Sequence, residues 1–158
     1  MSNEIKIKVD FSKLKSLREK TDVSFSLCKK ALEESSNNIE DAKKLLTKWG
    51  AKKLTEKSDR STSQGAIFSY VHHNKKIASL VEIQCETDFV SGNAQFQTLG
   101  QEFAMQLASM PAETIDELMN QEYVRDPSKK MGDLFKETAL KFGENMKLTR
   151  ILRWALGN

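Results

Sequence analysis

Over the first fifty residues apolar side chains recur every three or four positions, the spacing of helices with one buried face. Leu14 and Leu17 mark a first helix, with Asp10 or Ser12 as its cap. Thr21-Asp22-Val23-Ser24 interrupts the pattern, and Ser24 then caps a second helix carrying Phe25, Leu27, Cys28, Ala31 and Leu32. A turn cluster, Ser35-Ser36-Asn37-Asn38, leads to a third helix with Ile39, Ala42, Leu45 and Leu46 on one face. Glu40 and Asp41 lie in its first turn, where acids favour the helix dipole. Gly50 reads as the residue that stops it. Three helices in so short a stretch predict one small shared core, and a unit of that size buries a low fraction of its surface.

From Trp49 to Ser63 the chain reads as a hinge, because residues 58–65 are small and polar. Two stretches then alternate with the period of strands, Ala66 to His72 and Lys76 to Glu86, and His73-Asn74-Lys75 is short enough to join them as a hairpin. Asn93 caps a long helix bearing Phe96, Leu99, Phe103 and Leu107, and Pro111 ends it. Thr114 caps a short helix through Leu118 and Met119, and Asp126-Pro127-Ser128 is a turn. Ser128 or Lys129 begins another helix, with Met131, Leu134, Phe135, Ala139 and Leu140 as its apolar face and Gly143 as its stop. Met146 to Leu156 alternates again and predicts a third, antiparallel strand. The predicted fold class is α+β. Residues 1–50 form a three-helix module and residues 51–64 a linker. Residues 65–158 form a small antiparallel three-stranded sheet packed with helices.

Between the second strand and the long helix stands Glu82-Ile83-Gln84-Cys85-Glu86-Thr87-Asp88-Phe89-Val90. Val81, Ile83 and Cys85 keep the strand period, Thr87-Asp88-Phe89-Val90 breaks it, and Ser91-Gly92-Asn93 reads as a loop or helix entry. An acid and a large aromatic thus sit side by side where a strand ends, a junction at which rigid elements present side chains to partners. The alternative is that Phe89 is a core residue and Asp88 a helix cap.

This stretch resembles a signature of the elongation factor Ts family, nucleotide-exchange factors for the translational GTPase elongation factor Tu. Thr87 to Val90 matches its core. Leu17-Arg18-Glu19-Lys20-Thr21 and Cys28-Lys29-Lys30-Ala31-Leu32 resemble a second family signature near the amino terminus. Tyr70-Val71-His72-His73-Asn74, Asp126-Pro127-Ser128-Lys129 and Gly143-Glu144-Asn145 resemble later segments, in the family's order. The likeness implies that the helical module is similar to a ubiquitin-associated bundle and docks on the GTPase domain of elongation factor Tu. Arg18, Phe25, Ser26 and His72 are the positions that carry over as further contacts. Phe25 and Ser26 replace two methionines, Asp22 replaces a glycine, Leu27 an aspartate and Gln84 an asparagine, and Gly92 is another departure. Asp22 in place of glycine predicts a turn without positive φ. The family's mechanism implies that Phe89 wedges between helices of the GTPase. Asp88 disturbs the phosphate environment and the magnesium ion, whose octahedral coordination tolerates little displacement. With one core subdomain and no long insertion the chain resembles the short form of the family, whose members pair as homodimers. Open sheet edges suit such pairing.

Composition narrows the remaining classes. The chain has 158 residues, 39% of them hydrophobic and 30% charged, enough apolar content for a core. A net charge of +3, with lysines dispersed, argues against nucleic-acid or membrane binding. Met1-Ser2-Asn3-Glu4 carries acid and no apolar run, so a cytoplasmic location is expected. Cys28 and Cys85 lack metal-site spacing and read as buried small hydrophobes. No phosphate-binding glycine loop occurs, so the chain is not expected to be a GTPase or another enzyme, and neither cofactor nor metal is expected. Against the exchange-factor reading stand three others: a ubiquitin-associated-like peptide-binding adaptor, a basic RNA-binding protein and a thiol enzyme using Cys85.

Overall fold

A computed structural model describes residues 7–158, so the reading of Met1 to Glu4 lies outside the described residues. The first helix, α1 (Phe11–Thr21), is capped by Asp10, whose carboxylate accepts from Ser12 N at 2.9 Å and Lys13 N at 3.2 Å. Asp10 is therefore the cap, and not Ser12. Helix α2 (Phe25–Glu34) is capped by Ser24 and α3 (Ile39–Glu56) by Asn38, as the polar residues before each apolar stripe predict. Leu14, Leu17, Val23, Cys28, Ala31, Leu32, Ala42 and Leu46 close into one buried cluster.

Two sequence expectations fail in this module, both for tertiary reasons. Gly50 does not end α3, which continues to Glu56. Gly50 is buried in the middle of the helix, and a Cβ there would stand 2.2 Å from the Lys136 carbonyl oxygen. The glycine is thus explained by close approach of a second helix rather than by capping. Asp22, the C-cap of α1, adopts φ 56°, a left-handed conformation that costs most side chains about 1–2 kcal/mol but that short polar residues enter more readily. Its carboxylate accepts from Gln95 Nε2 at 2.8 Å and lies 3.8 Å from Lys141 Nζ, contacts that help hold the turn without glycine.

The remainder is the α+β layer. Strands β1 (Gln64–Val71), β2 (Ile77–Cys85) and β5 (Met146–Ala155) form an antiparallel sheet in the order β1-β2-β5. One face packs on α5 (Ala94–Ser109) through Phe68, Val81, Ile83, Cys85, Phe96, Leu99 and Phe103. Gly100 lets α5 lie against the Phe68 ring, which a Cβ there would meet at 2.2 Å. Helix α4 (Asp88–Ser91) precedes α5, and α6 (Ile115–Asn120) follows it. Asp126-Pro127-Ser128 is not a free turn: β4 (Asp126–Lys130) pairs with β3 (Glu122–Tyr123) in a two-stranded ribbon. Pro127 is tolerated because an edge strand leaves amide positions unpaired. Helix α7 (Met131–Phe142) accordingly starts later than Ser128 or Lys129, with Asp133 Oδ2 accepting from Lys130 N at 3.0 Å. Gly143 ends it at φ 64°. Helix α7 packs along α3 and lends Leu140 to the buried cluster of the first three helices.

The other face of the sheet is open and apolar. Register places Val71, Ala78 and Trp154 in one row, Ser69, Leu80 and Leu152 in the next, and Ile67, Glu82 and Arg150 in a third. Ile67, Val71, Leu80, Leu152 and Trp154 are all exposed, Trp154 at 69%.

Candidate functional site

The junction after β2 is a single helical turn rather than a loop. Thr87 is its N-cap, extended at φ −123°, and its hydroxyl oxygen accepts from Val90 N at 3.3 Å. Asp88 is the first helical residue and not the cap, the position where an acid best complements the helix dipole. Val90 points inward and is 3% exposed, whereas Phe89, its neighbour on the opposite side, is 80% exposed. The core reading of Phe89 is thereby excluded. A phenyl ring left in water on a structured turn forgoes up to ~3 kcal/mol of available burial, which makes it a site feature to explain.

Both ends of this turn are tied to the fold, the first to distant chain and the last to the next helix. Glu144, in the loop between α7 and β5, receives Glu86 N and Thr87 N on one carboxylate oxygen, each at 3.1 Å. Its other oxygen accepts the Thr87 hydroxyl at 2.7 Å. The Glu86 carboxylate in turn accepts Asn145 N at 2.6 Å, and Asn145 Nδ2 donates to Arg60 O at 2.9 Å. At the other end Gln97 Nε2 donates to Ser91 O at 2.7 Å. Sequence reasoning placed Gly143-Glu144-Asn145 only as a late core segment. The one local signal was a carboxylate following a glycine stop, and nothing local links it to a turn 57 residues earlier.

The remaining candidates fall in two other places. Arg18, Phe25 and Ser26 are exposed on the helical module. Phe25 opens α2 and shares an apolar patch with Ile7 and Phe11, where Phe11 is 72% exposed. The link between Asp22 and Gln95 ties the α1–α2 turn to the first turn of α5, close in sequence to Phe89. His72 lies at the opposite end of β2 from Thr87, about 26 Å away at the ~3.3 Å rise of each strand residue. Tyr70 Oη and His72 Nδ1 are 3.1 Å apart there, and the His73 ring centroid is 4.2 Å from that of His72. Thr87, Asp88, Phe89 and Val90 are thus brought together, and His72 is held apart from them.

Titratable groups do not converge as in a nucleophilic centre. Burial pushes the Cys85 thiol up to about 11, with Glu144 adding to the effect, so a thiolate at neutral pH is disfavoured. Cys85 is also fully buried, so the thiol-enzyme reading has no accessible nucleophile. Burial also raises the Glu137 carboxyl, despite Lys129 Nζ at 3.2 Å. Among the described residues no group of three or more His, Cys, Asp or Glu is placed to hold a metal ion, and no helix is long and apolar enough to cross a membrane.

Comparison with known proteins agrees with this architecture. The chain is 35% identical to elongation factor Ts of Coprothermobacter proteolyticus over 196 aligned positions, covering 96% of this chain and 100% of that protein. It is 34% identical to elongation factor Ts of Thermosipho melanesiensis, covering 91% of this chain and 96% of that one. Against elongation factor Ts of Clostridium botulinum identity is 39%, over 89% of this chain but 46% of the longer protein. Proteins of this class act in translation, and the chain is a translation elongation factor. A sequence profile described as Elongation factor TS matches residues 86–157, a stretch that takes in the exposed turn and the last strand of the sheet. The chain belongs to the elongation factor Ts family.

Proposed function

We propose that the chain is a guanine-nucleotide exchange factor that binds elongation factor Tu in its GDP-bound form and promotes GDP release. The observation that carries the reading is Phe89, exposed at 80% on a turn whose two ends are both hydrogen-bonded to the rest of the fold. Phe89 enters an apolar gap of the GTPase, and Asp88 beside it perturbs the polar surroundings of the magnesium ion and phosphates. Factor and GDP then weaken each other's binding by the same ratio, as linkage requires. The exposed Phe25 and Phe11 supply an apolar contact from the helical module, and the exposed Arg18 and Ser26 supply further contacts. His72 supplies a separate contact at the far end of the sheet. Thr87 and Val90 contribute by shaping the turn.

The active form is a homodimer in this reading. The open sheet face, with Ile67, Val71, Leu80, Leu152 and Trp154, supports pairing face to face, and its apolar rows are a stronger argument than the free edges of β1 and β5. The test is release of fluorescent GDP from a cognate elongation factor Tu with this chain at catalytic amounts. Acceleration that falls by an order of magnitude or more, without vanishing, in Asp88→Ala and Phe89→Ala is the expected result. Spontaneous-rate release in the presence of the folded chain refutes the proposal.

A further inference from the structure

We propose that Glu144 is the positioning residue that fixes the Asp88–Phe89 turn for docking, an inference that rests on reading this turn as the exchange element. Four residues are far too few for a helix to hold itself in water, since helix nucleation is unfavourable. The turn therefore takes its orientation from outside. Val90 anchors its inner side and Gln97 its end. Its beginning is held by Glu144, through three hydrogen bonds to a carboxylate, a stronger kind than neutral pairs.

The hydroxyl bond has a second effect. Thr87 has one hydroxyl proton. Given to Glu144 Oε2, it leaves an oxygen lone pair turned toward Val90 N, and that is the cap of the turn. Glu144 thus orients the cap as well as gripping the backbone before it. Glu144 is itself held in place. It follows Gly143, whose carbonyl accepts the Lys57 ammonium, and precedes Asn145, whose amide is bound by Glu86. Each carboxylate of the pair Glu86 and Glu144 secures the backbone next to the other. Without Glu144 the docking-competent arrangement of Phe89 is only a fraction of the population, and apparent affinity falls by that fraction.

The experiment compares Glu144→Ala and Glu144→Gln in the full chain, with Phe89 intact and with Phe89→Ala. It reads the concentration giving half-maximal GDP release, the saturating rate, and amide hydrogen exchange at Thr87 and Val90. Glu144→Ala is expected to raise the half-maximal concentration about tenfold, equivalent to ~1.4 kcal/mol, with the saturating rate nearly unchanged. Glu144→Gln keeps an acceptor for the two amides but presents a donor to the Thr87 hydroxyl, and falls between. With Phe89→Ala, removing Glu144 adds less than about twofold, because its effect runs through the turn. Equal losses in both backgrounds, or an unchanged concentration dependence in folded Glu144→Ala, overturn the proposal. If Glu144→Ala does not fold, Glu144→Gln carries the same comparison. If the unaltered chain fails to speed GDP release, the docking reading falls, and amide exchange still decides. Faster exchange at Thr87 and Val90, with core protection kept, retains Glu144 as the positioning residue; unchanged exchange removes it.

Discussion

Replacing Phe89 by alanine separates a docking residue from a packing residue by magnitude. With 80% of the residue exposed, only about a fifth of its surface is removed from water. An aromatic side chain buries roughly 200 Å² when fully enclosed, so about 40 Å² is at stake here. At ~25 cal/mol per Å² this is about 1 kcal/mol. For a chain of this length that lowers Tm by ~2–4 °C. A core phenylalanine would cost ~3–5 kcal/mol instead, a melting shift of ~6–20 °C. At a partner surface an aromatic anchor is commonly worth ~2 kcal/mol or more, about thirtyfold in affinity. The assay pairs a thermal melt with GDP release from elongation factor Tu. The expected result for Phe89→Ala is a small shift in Tm and a loss of exchange by an order of magnitude or more. A Tm lowered by over about 6 °C, or exchange equal to that of the unaltered chain, refutes the argument.

Three further outcomes follow from the packing and charge described above. Gly50→Ala sets a methyl against the Lys136 carbonyl, forces α3 and α7 apart, and lowers stability by ~1–3 kcal/mol in a denaturant titration. Glu137 has a raised carboxyl pKa, so its folded state favours the proton: its contribution is full below the unfolded value of about 4.3 and is lost as pH rises through the folded value. Glu137→Gln therefore gives a flatter dependence of Tm on pH above that point, and an identical dependence would contradict the burial argument. Leu152→Glu on the open sheet face is expected to convert the proposed dimer to monomer in sedimentation, with little change in the helical signal; a persistent dimer excludes that face.

Local signals were read well where local physics decides. The caps Ser24, Asn93 and Thr114 each follow from one side chain and the amides just after it. The three strands of the main sheet were legible because one face is buried, which imposes the period of two. What escaped depends on contacts remote in sequence. Gly50 looks like a stop signal until α7 is placed beside it. The turn Asp88–Ser91 is too short to show any periodicity, and Pro127 reads as a turn when its strand has only a two-residue partner. Asp22 takes the positive φ that a short polar residue can enter, and its hydrogen bond to Gln95 and ion pair with Lys141, both remote in sequence, help hold it there. In the candidate site the acid and the aromatic could be named from the sequence, but the exposure of Phe89 and the hold of Glu144 on Thr87 required the fold.

The seam between α3 and α7 makes the molecule a ruler. Two contact surfaces on a flexible tether search for their receptors one after the other, and the second binds at a concentration set by tether length. Here α3 runs on past Gly50 and lies against α7, while Asp22 is bonded to α5, so Phe25 and Phe89 are carried on one packed frame. The distance between them is set by helix packing instead of chain entropy. A partner whose two receptor sites change spacing with its bound nucleotide is gripped twice in one state and once in the other. Under the exchange-factor proposal, such a frame reports the partner's nucleotide state as a length.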